Sequence, residues 1–207
     1  MTFPSRWPRR AVALLPALFG TLLAGCAGAG TSSELAAPQS PAATYQLVDE
    51  LCAALDPQPL IDLYGGTTAT RDWPRQPDNQ ARKCALGVMQ QDPTVLHDLT
   101  VFMMIADSPQ DAQEAIPSQP TRQILGTWHE LPLLGDGAWI WLMPVEKGEV
   151  PEVDGPMAGR RAKVHVARGD AYVMLELFTA GPEAPGDAEM EALMVGYAEE
   201  TLTLMKA

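Results

Sequence analysis

The chain has 207 residues, 46% of them apolar, and a formal charge of −12. That apolar share supports a packed core and excludes a disordered polar chain. The negative charge excludes nucleic acid as a natural partner and repels anionic lipid head groups, so attachment to a membrane must be covalent.

The first ten residues carry Arg6, Arg9 and Arg10, and an apolar run from Ala11 to Leu23 follows, broken only by Pro16, Gly20 and Thr21. The run is shorter than the roughly 20 residues that span a bilayer. A basic start, a short apolar stretch and small residues after it predict a signal peptide over residues 1–25. Its end, Leu23-Ala24-Gly25-Cys26, resembles the bacterial lipobox, in which the cysteine thiolate takes a diacylglyceryl group. Cys26 is therefore the expected lipidation site and the first residue of the mature chain. Removal of residues 1–25 takes away three arginines and no acid, which leaves the remainder more acidic still. One acyl chain anchors marginally. Two or three, such as palmitate, bury enough CH₂ groups at about 0.8 kcal/mol each for a stable hold. Residues 26–43 are rich in Ala, Gly, Ser, Thr and Pro and predict a flexible tether. The expected location is the extracytoplasmic face of the cell membrane, with residues 44–207 forming one domain.

Within that domain, Leu47, Val48, Leu51, Cys52 and Leu55 recur with helical spacing and predict a helix over 44–55 that Asp56-Pro57 ends. Pro59 opens a further turn through Leu60, Ile61 and Leu63, and Gly65-Gly66 closes it. Residues 65–83 have no period and many turn formers, and predict a long exposed loop containing Trp73. Cys84 to Gln90 and Leu99 to Ala106 predict two strands. Ser108-Pro109-Gln110-Asp111 predicts the capped start of a short helix that ends near Pro117. Trp139 to Met143 predicts a strand after the turn Gly135-Asp136-Gly137, and residues 146–160 predict a loop. Val164 to Arg168 and Ala171 to Thr179 predict a β-hairpin around Gly169-Asp170. Asp187 is expected to cap a final helix with Met190, Leu193, Met194, Tyr197, Thr201, Leu204 and Met205 on one face and Glu189, Glu191, Glu199, Glu200 and Lys206 elsewhere. The order predicts an α+β domain: an antiparallel sheet with helices packed on one face.

With Cys26 lipidated, Cys52 and Cys84 remain. Two thiols in an oxidising exported compartment are expected to pair, and the chain-entropy model assigns such a loop about 3–4 kcal/mol. A metal or redox pair is the alternative, but no C-x-x-C spacing exists, and neither cysteine has ligand spacing to His97, His129 or His165.

The lipobox and spacer, then Leu51-Cys52-Ala53-Ala54-Leu55-Asp56, Leu60-Ile61-Asp62-Leu63-Tyr64-Gly65 and Cys84, together resemble the small actinobacterial lipoproteins with a DUF3558-type domain. The stretch Leu131-Pro132-Leu133-Leu134-Gly135-Asp136-Gly137-Ala138-Trp139 looks like that family's turn before a strand, and the terminal hairpin is similar too. Family members often have an aromatic two residues after the second cysteine; here that place is Leu86. The resemblance spans residues 44–180 loosely. It implies a cell-envelope lipoprotein without an assigned activity, so no catalytic residue is carried over.

Other motifs are weak. The three histidines are far apart with no i, i+4 pair, so no metal or other cofactor is expected. No G-x-S-x-G elbow, P-loop or G-x-G-x-x-G occurs. Arg168-Gly169-Asp170 spells an adhesion tripeptide, yet a hairpin turn requires Gly and Asp for backbone reasons alone. Met103, Met104, Met143, Met174, Met190 and Met194 fall on predicted core elements, where methionine packs or lines a plastic apolar pocket. The expectation is a non-enzymatic binding or adaptor domain whose partner is another envelope protein or a small apolar ligand. The alternative is a carrier or sensor of a lipid-like molecule. A third possibility is an enzyme using Asp136 with Glu130. A carrier requires an apolar cavity between sheet and helices, an adaptor an exposed apolar patch, and an enzyme converging polar groups.

Overall fold

The structure is a computed structural model and describes residues 44–72, 80–91, 94–117, 125–149 and 156–207. Cys26, the expected signal peptide and tether, and Trp73 lie outside the described residues.

The domain is α+β, built on one antiparallel sheet of eight strands. In chain order the elements are α1 (Leu51–Ala54), α2 (Gln58–Tyr64), β1 (Thr67–Asp72), β2 (Ala81–Gln91), β3 (Thr94–Ile105), α3 (Pro109–Glu114), β4 (Thr127–Glu130), β5 (Gly137–Leu142), β6 (Glu146–Glu149), β7 (Pro156–Arg168), β8 (Ala171–Gly181) and α4 (Asp187–Leu204). The strand order is β1-β2-β3-β8-β7-β5-β4, and β6 pairs with the first residues of β7 beside it. The long strands β3, β7 and β8 are central. Their alternation sends Leu99, Val101, Met103, Val164, Val166, Val173, Leu175 and Leu177 to one face, all fully buried.

Helices α1, α2 and α4 pack on that face. From α4 come Met190, Met194, Tyr197, Ala198 and Leu202; Leu51, Cys52 and Leu60 come from the first two helices. Short α3 lies against the opposite face, near the β7–β8 turn, where Ala112 joins Ala167 and Tyr172 in a small second cluster. Its start is as expected: the Ser108 hydroxyl accepts from the Asp111 N–H at 3.1 Å, with Pro109 next in line. The β7–β8 hairpin has the expected two-residue turn, with Gly169 at φ +56° and Arg168 paired to Ala171.

The expected disulfide is present. Cys52 on α1 and Cys84 on β2 are joined with their Cα atoms 5.3 Å apart, both buried. The bond ties the first helix to the core face of the sheet.

Five local expectations are corrected. The helix over 44–55 shrinks to α1. Thr44 and Gln46 instead hydrogen-bond with the chain end, Gln46 N–H to the Met205 carbonyl at 2.8 Å and Ala207 N–H to that of Thr44 at 3.0 Å. The apolar pattern still reports burial, because Leu47, Val48, Leu51, Cys52 and Leu55 all meet the core. Residues 65–83 are not one loop: β1 occupies Thr67–Asp72 and β2 begins at Ala81. Strand β1 is an exposed edge strand, so no buried alternation marks it; its β-branched threonines were the available signal. Residues 146–160 contain β6 and the start of β7, hidden by Gly148, Gly159 and the charged run around Arg160. Strand β4 was not expected, being four residues with none fully buried. Gly186 rather than Asp187 caps α4, and Asp187 sits in its first turn.

Candidate binding site

The β4–β5 turn meets α4 at a partly apolar cleft. Leu131, Pro132, Leu133 and Leu134 form the turn. Leu131 and Leu134 point into the core, whereas Leu133 is 92% exposed, the most exposed of the large apolar side chains described. Between this turn and α4 lies an open cleft of about 280 Å³, lined by Leu131, Pro132, Leu133, Leu134 and Val195 and rimmed by Glu130, Glu191 and Glu199.

Each side of the cleft is held by identifiable contacts. The Leu131 N–H donates to the Ala138 carbonyl at 3.0 Å and the Leu134 N–H to the Leu131 carbonyl at 3.1 Å. Gly135 lets the turn close on β7: a Cβ there would fall 2.5 Å from the Ala167 carbonyl oxygen, which only glycine avoids. The Asp136 N–H donates to that same carbonyl at 2.8 Å, and its carboxylate accepts from the Gly169 N–H at 2.6 Å. The turn is thereby clamped to the β7–β8 hairpin. On the helix side, Glu191, Val195 and Glu199 stand at i, i+4 and i+8, which places them in one stripe. His129 on β4 reaches across to Glu191, Nε2 to Oε2 3.0 Å.

Helix α4 is positioned by polar contacts at both ends. Arg160 on β7 is buried and donates to the carbonyls of Met143 and Pro185, each at 2.9 Å, and to the carboxylate of Asp187. Farther along, the Tyr197 hydroxyl donates to the Asp56 carbonyl at 2.9 Å, and the Asp56 N–H donates to Glu200 at 2.8 Å. Burial raises the Glu200 carboxyl above its ordinary range, with the Asp56 N–H acting against that rise.

The other residues singled out from the sequence have structural settings. His97 lies on the core face of β3, and burial holds its imidazole down to about 4. His165 is buried on the other face, 2.7 Å through Nδ1 from the Tyr172 hydroxyl. It is also held down to about 4, first by burial and then by the charge of Lys163. His129 is on β4, two strands from His165 across β5, and among the described residues no three of His, Cys, Asp and Glu gather as a metal site. Asp136 is engaged with Gly169 rather than with Glu130. Met103, Met190 and Met194 fill the core, Met104 and Met174 join the second cluster, and Met143 lines a separate shallow cavity of about 110 Å³ beside Arg160. The space between α4 and the sheet, where a carrier would hold its ligand, is occupied by Met190, Met194, Tyr197 and Leu202, all essentially inaccessible. Among the described residues no helix is long and apolar enough to cross a membrane.

The cleft residues Leu133, Glu191, Val195 and Glu199 were not recognised as a group from the sequence. The signal was present in two pieces: an apolar Leu-Pro-Leu-Leu run just before a Gly-Asp-Gly turn, where loops are normally polar, and an acid–apolar–acid stripe at four-residue spacing on α4. What was missing was their proximity. No protein-family model, curated protein or solved structure matches this chain.

Proposed function

We propose that this chain is a lipid-anchored protein of the cell envelope, held at the extracytoplasmic membrane face by Cys26, that works by binding another envelope protein rather than by catalysis. The observation that carries the binding role is the apolar cleft between the β4–β5 turn and α4, with Leu133 exposed at its lip on a turn clamped by Asp136 and closed through Gly135. A rigid exposed apolar side chain beside a cleft is how a protein presents an anchor point to a partner. The lipobox residues 23–26 and the composition of residues 26–43 support the anchor and its tether. The resemblance to DUF3558-type lipoproteins points the same way. Asp136, which an enzyme would draw on together with Glu130, instead accepts from the Gly169 N–H and holds the turn. The cleft volume falls just under the roughly 300–1,000 Å³ of ordinary small-molecule sites, which suits one or two side chains of a partner better than an acyl chain.

A photoreactive residue placed at position 133 of the chain in its own cells tests this. A discrete envelope-protein adduct should form there and vanish with Val195→Asp, whereas a photoreactive residue at the exposed helix position Glu114 should give none. Equal labelling from both positions would contradict the assignment.

A further inference from the structure

The acids around the cleft specify the partner's chemistry further, on the reading that the cleft is a contact site. We propose that it takes an extended peptide segment carrying two cations four residues apart with a large apolar side chain midway between them, of the form Lys-x-Leu-x-Lys.

The geometry on α4 sets this spacing. Glu191 and Glu199 flank Val195 by one helical turn on either side, and eight residues of helix at 1.5 Å each separate the two carboxylate-bearing positions by about 12 Å along the axis. An extended strand rises about 3.3 Å per residue, so its positions i and i+4 lie about 13 Å apart. In such a strand i, i+2 and i+4 face the same way. The two cations then meet Glu191 and Glu199 while the central side chain enters the apolar cleft between Leu133 and Val195. Glu191 already lies 3.0 Å from His129 through one oxygen, so a partner cation shares that carboxylate; Glu130 supplies a third carboxylate on the opposite rim, and the residues lining the cleft include no Lys or Arg. An anionic occupant would be repelled by this rim. A chain of net charge −12 also attracts basic partners over a longer range, which speeds encounter without fixing register.

Register therefore separates a built site from plain charge attraction. The test uses the purified full-length chain at pH 8 and low salt, with two synthetic peptides of identical composition and charge: acetyl-Lys-Ser-Trp-Ser-Lys-amide and acetyl-Ser-Lys-Trp-Lys-Ser-amide. Binding is followed by tryptophan-independent heat and by amide NMR shifts. The first peptide should bind at least fivefold more tightly, with shifts centred on Leu133, Val195 and their neighbours. Glu191→Gln with Glu199→Gln should abolish the preference, and Leu133→Ser should weaken the first peptide by a similar factor. Leu133 and Glu199 are at the surface and Glu191 is half-buried beside His129, to which Gln can still hydrogen-bond, so the variants are expected to fold; melting curves check this.

If both peptides bind the cleft with equal affinity, the spacing rule is overturned while the cleft stands as a contact site. If the shifts lie elsewhere, or Leu133→Ser leaves both affinities unchanged, the cleft itself is not the contact site, and the underlying reading falls with it.

Discussion

Breaking the Cys52–Cys84 bond has a cost that follows from where the two residues sit. The bond closes a loop with a sequence separation of 32, and both sulfurs are buried, one on α1 and one on β2. In the chain-entropy relation a loop of that length removes enough freedom from the unfolded chain to contribute about 3.7 kcal/mol at 25 °C. For a domain of this size that corresponds to a fall in Tm of about 10 °C. Reduction keeps both sulfurs in place and so isolates the loop contribution. The Cys52→Ala, Cys84→Ala chain adds the packing lost in the core and should be lower by about another 1–2 kcal/mol. Urea unfolding at pH 7, with the reduced chain refolded under excess thiol, reads both. The midpoint should drop and the m-value should rise, since an uncrosslinked unfolded chain exposes more surface. A reduced chain that loses less than about 1 kcal/mol, with an unchanged m-value, would refute the account of how α1 is held on the sheet.

Two further outcomes test the buried polar groups. His97 and His165 bind protons in the unfolded chain near pH 6.5 but, when folded, only near pH 4. Between those values the unfolded state carries more protons, so stability is complete above about pH 6.5 and falls as the pH drops toward 4, by at most about 1.4 kcal/mol per pH unit for each histidine. The raised Glu200 carboxyl acts in the opposite sense at the acid end. Urea midpoints from pH 7 to 4.5 should show this slope, and His97→Leu should remove about half of it; an unchanged slope would contradict the assignment. At the start of α4, Arg160→Leu strips three acceptors of a buried donor and should cost about 2–3 kcal/mol. Asp187→Asn should cost less than about 1 kcal/mol, because the Asp187 side chain is 67% exposed and water replaces it. The reverse order in thermal melts would mean that the ion pair, not the carbonyl contacts, holds the helix.

The elements legible in the sequence were those whose burial alternates. The β7–β8 hairpin showed itself because Val164, Val166, Val173, Leu175 and Leu177 face the core in alternation around a Gly-Asp turn. Helix α4 showed itself through Met190, Leu193, Met194 and Tyr197, although Ala198 and Leu202 also prove buried and Leu204 only partly so. The disulfide was legible from the cysteine count, given the expected compartment. Strands β1, β4 and β6 were illegible for a common reason: they are short or at an edge, so hydrogen-bonding partners rather than hydrophobic contrast hold them. The helix over 44–55 failed differently. Its apolar residues do reach the core, but the backbone of Thr44 and Gln46 takes partners from the last three residues, a contact across the length of the domain that no local pattern contains. The cleft was illegible for the same reason. Its two halves are separated by more than fifty residues, and the packing of α4 on β5, β7 and β8 brings them together.

The proposed compartment and attachment both depend on one sulfur atom, that of Cys26. Mass spectrometry of the N-terminal peptide from the chain's own membrane fraction addresses it directly. The chain should begin at Cys26 and carry a thioether-linked diacylglyceryl group, with its ester-bound acyl chains released by mild alkali. A chain that retains residues 1–25, or one that begins at Cys26 with an unmodified thiol, would contradict the account.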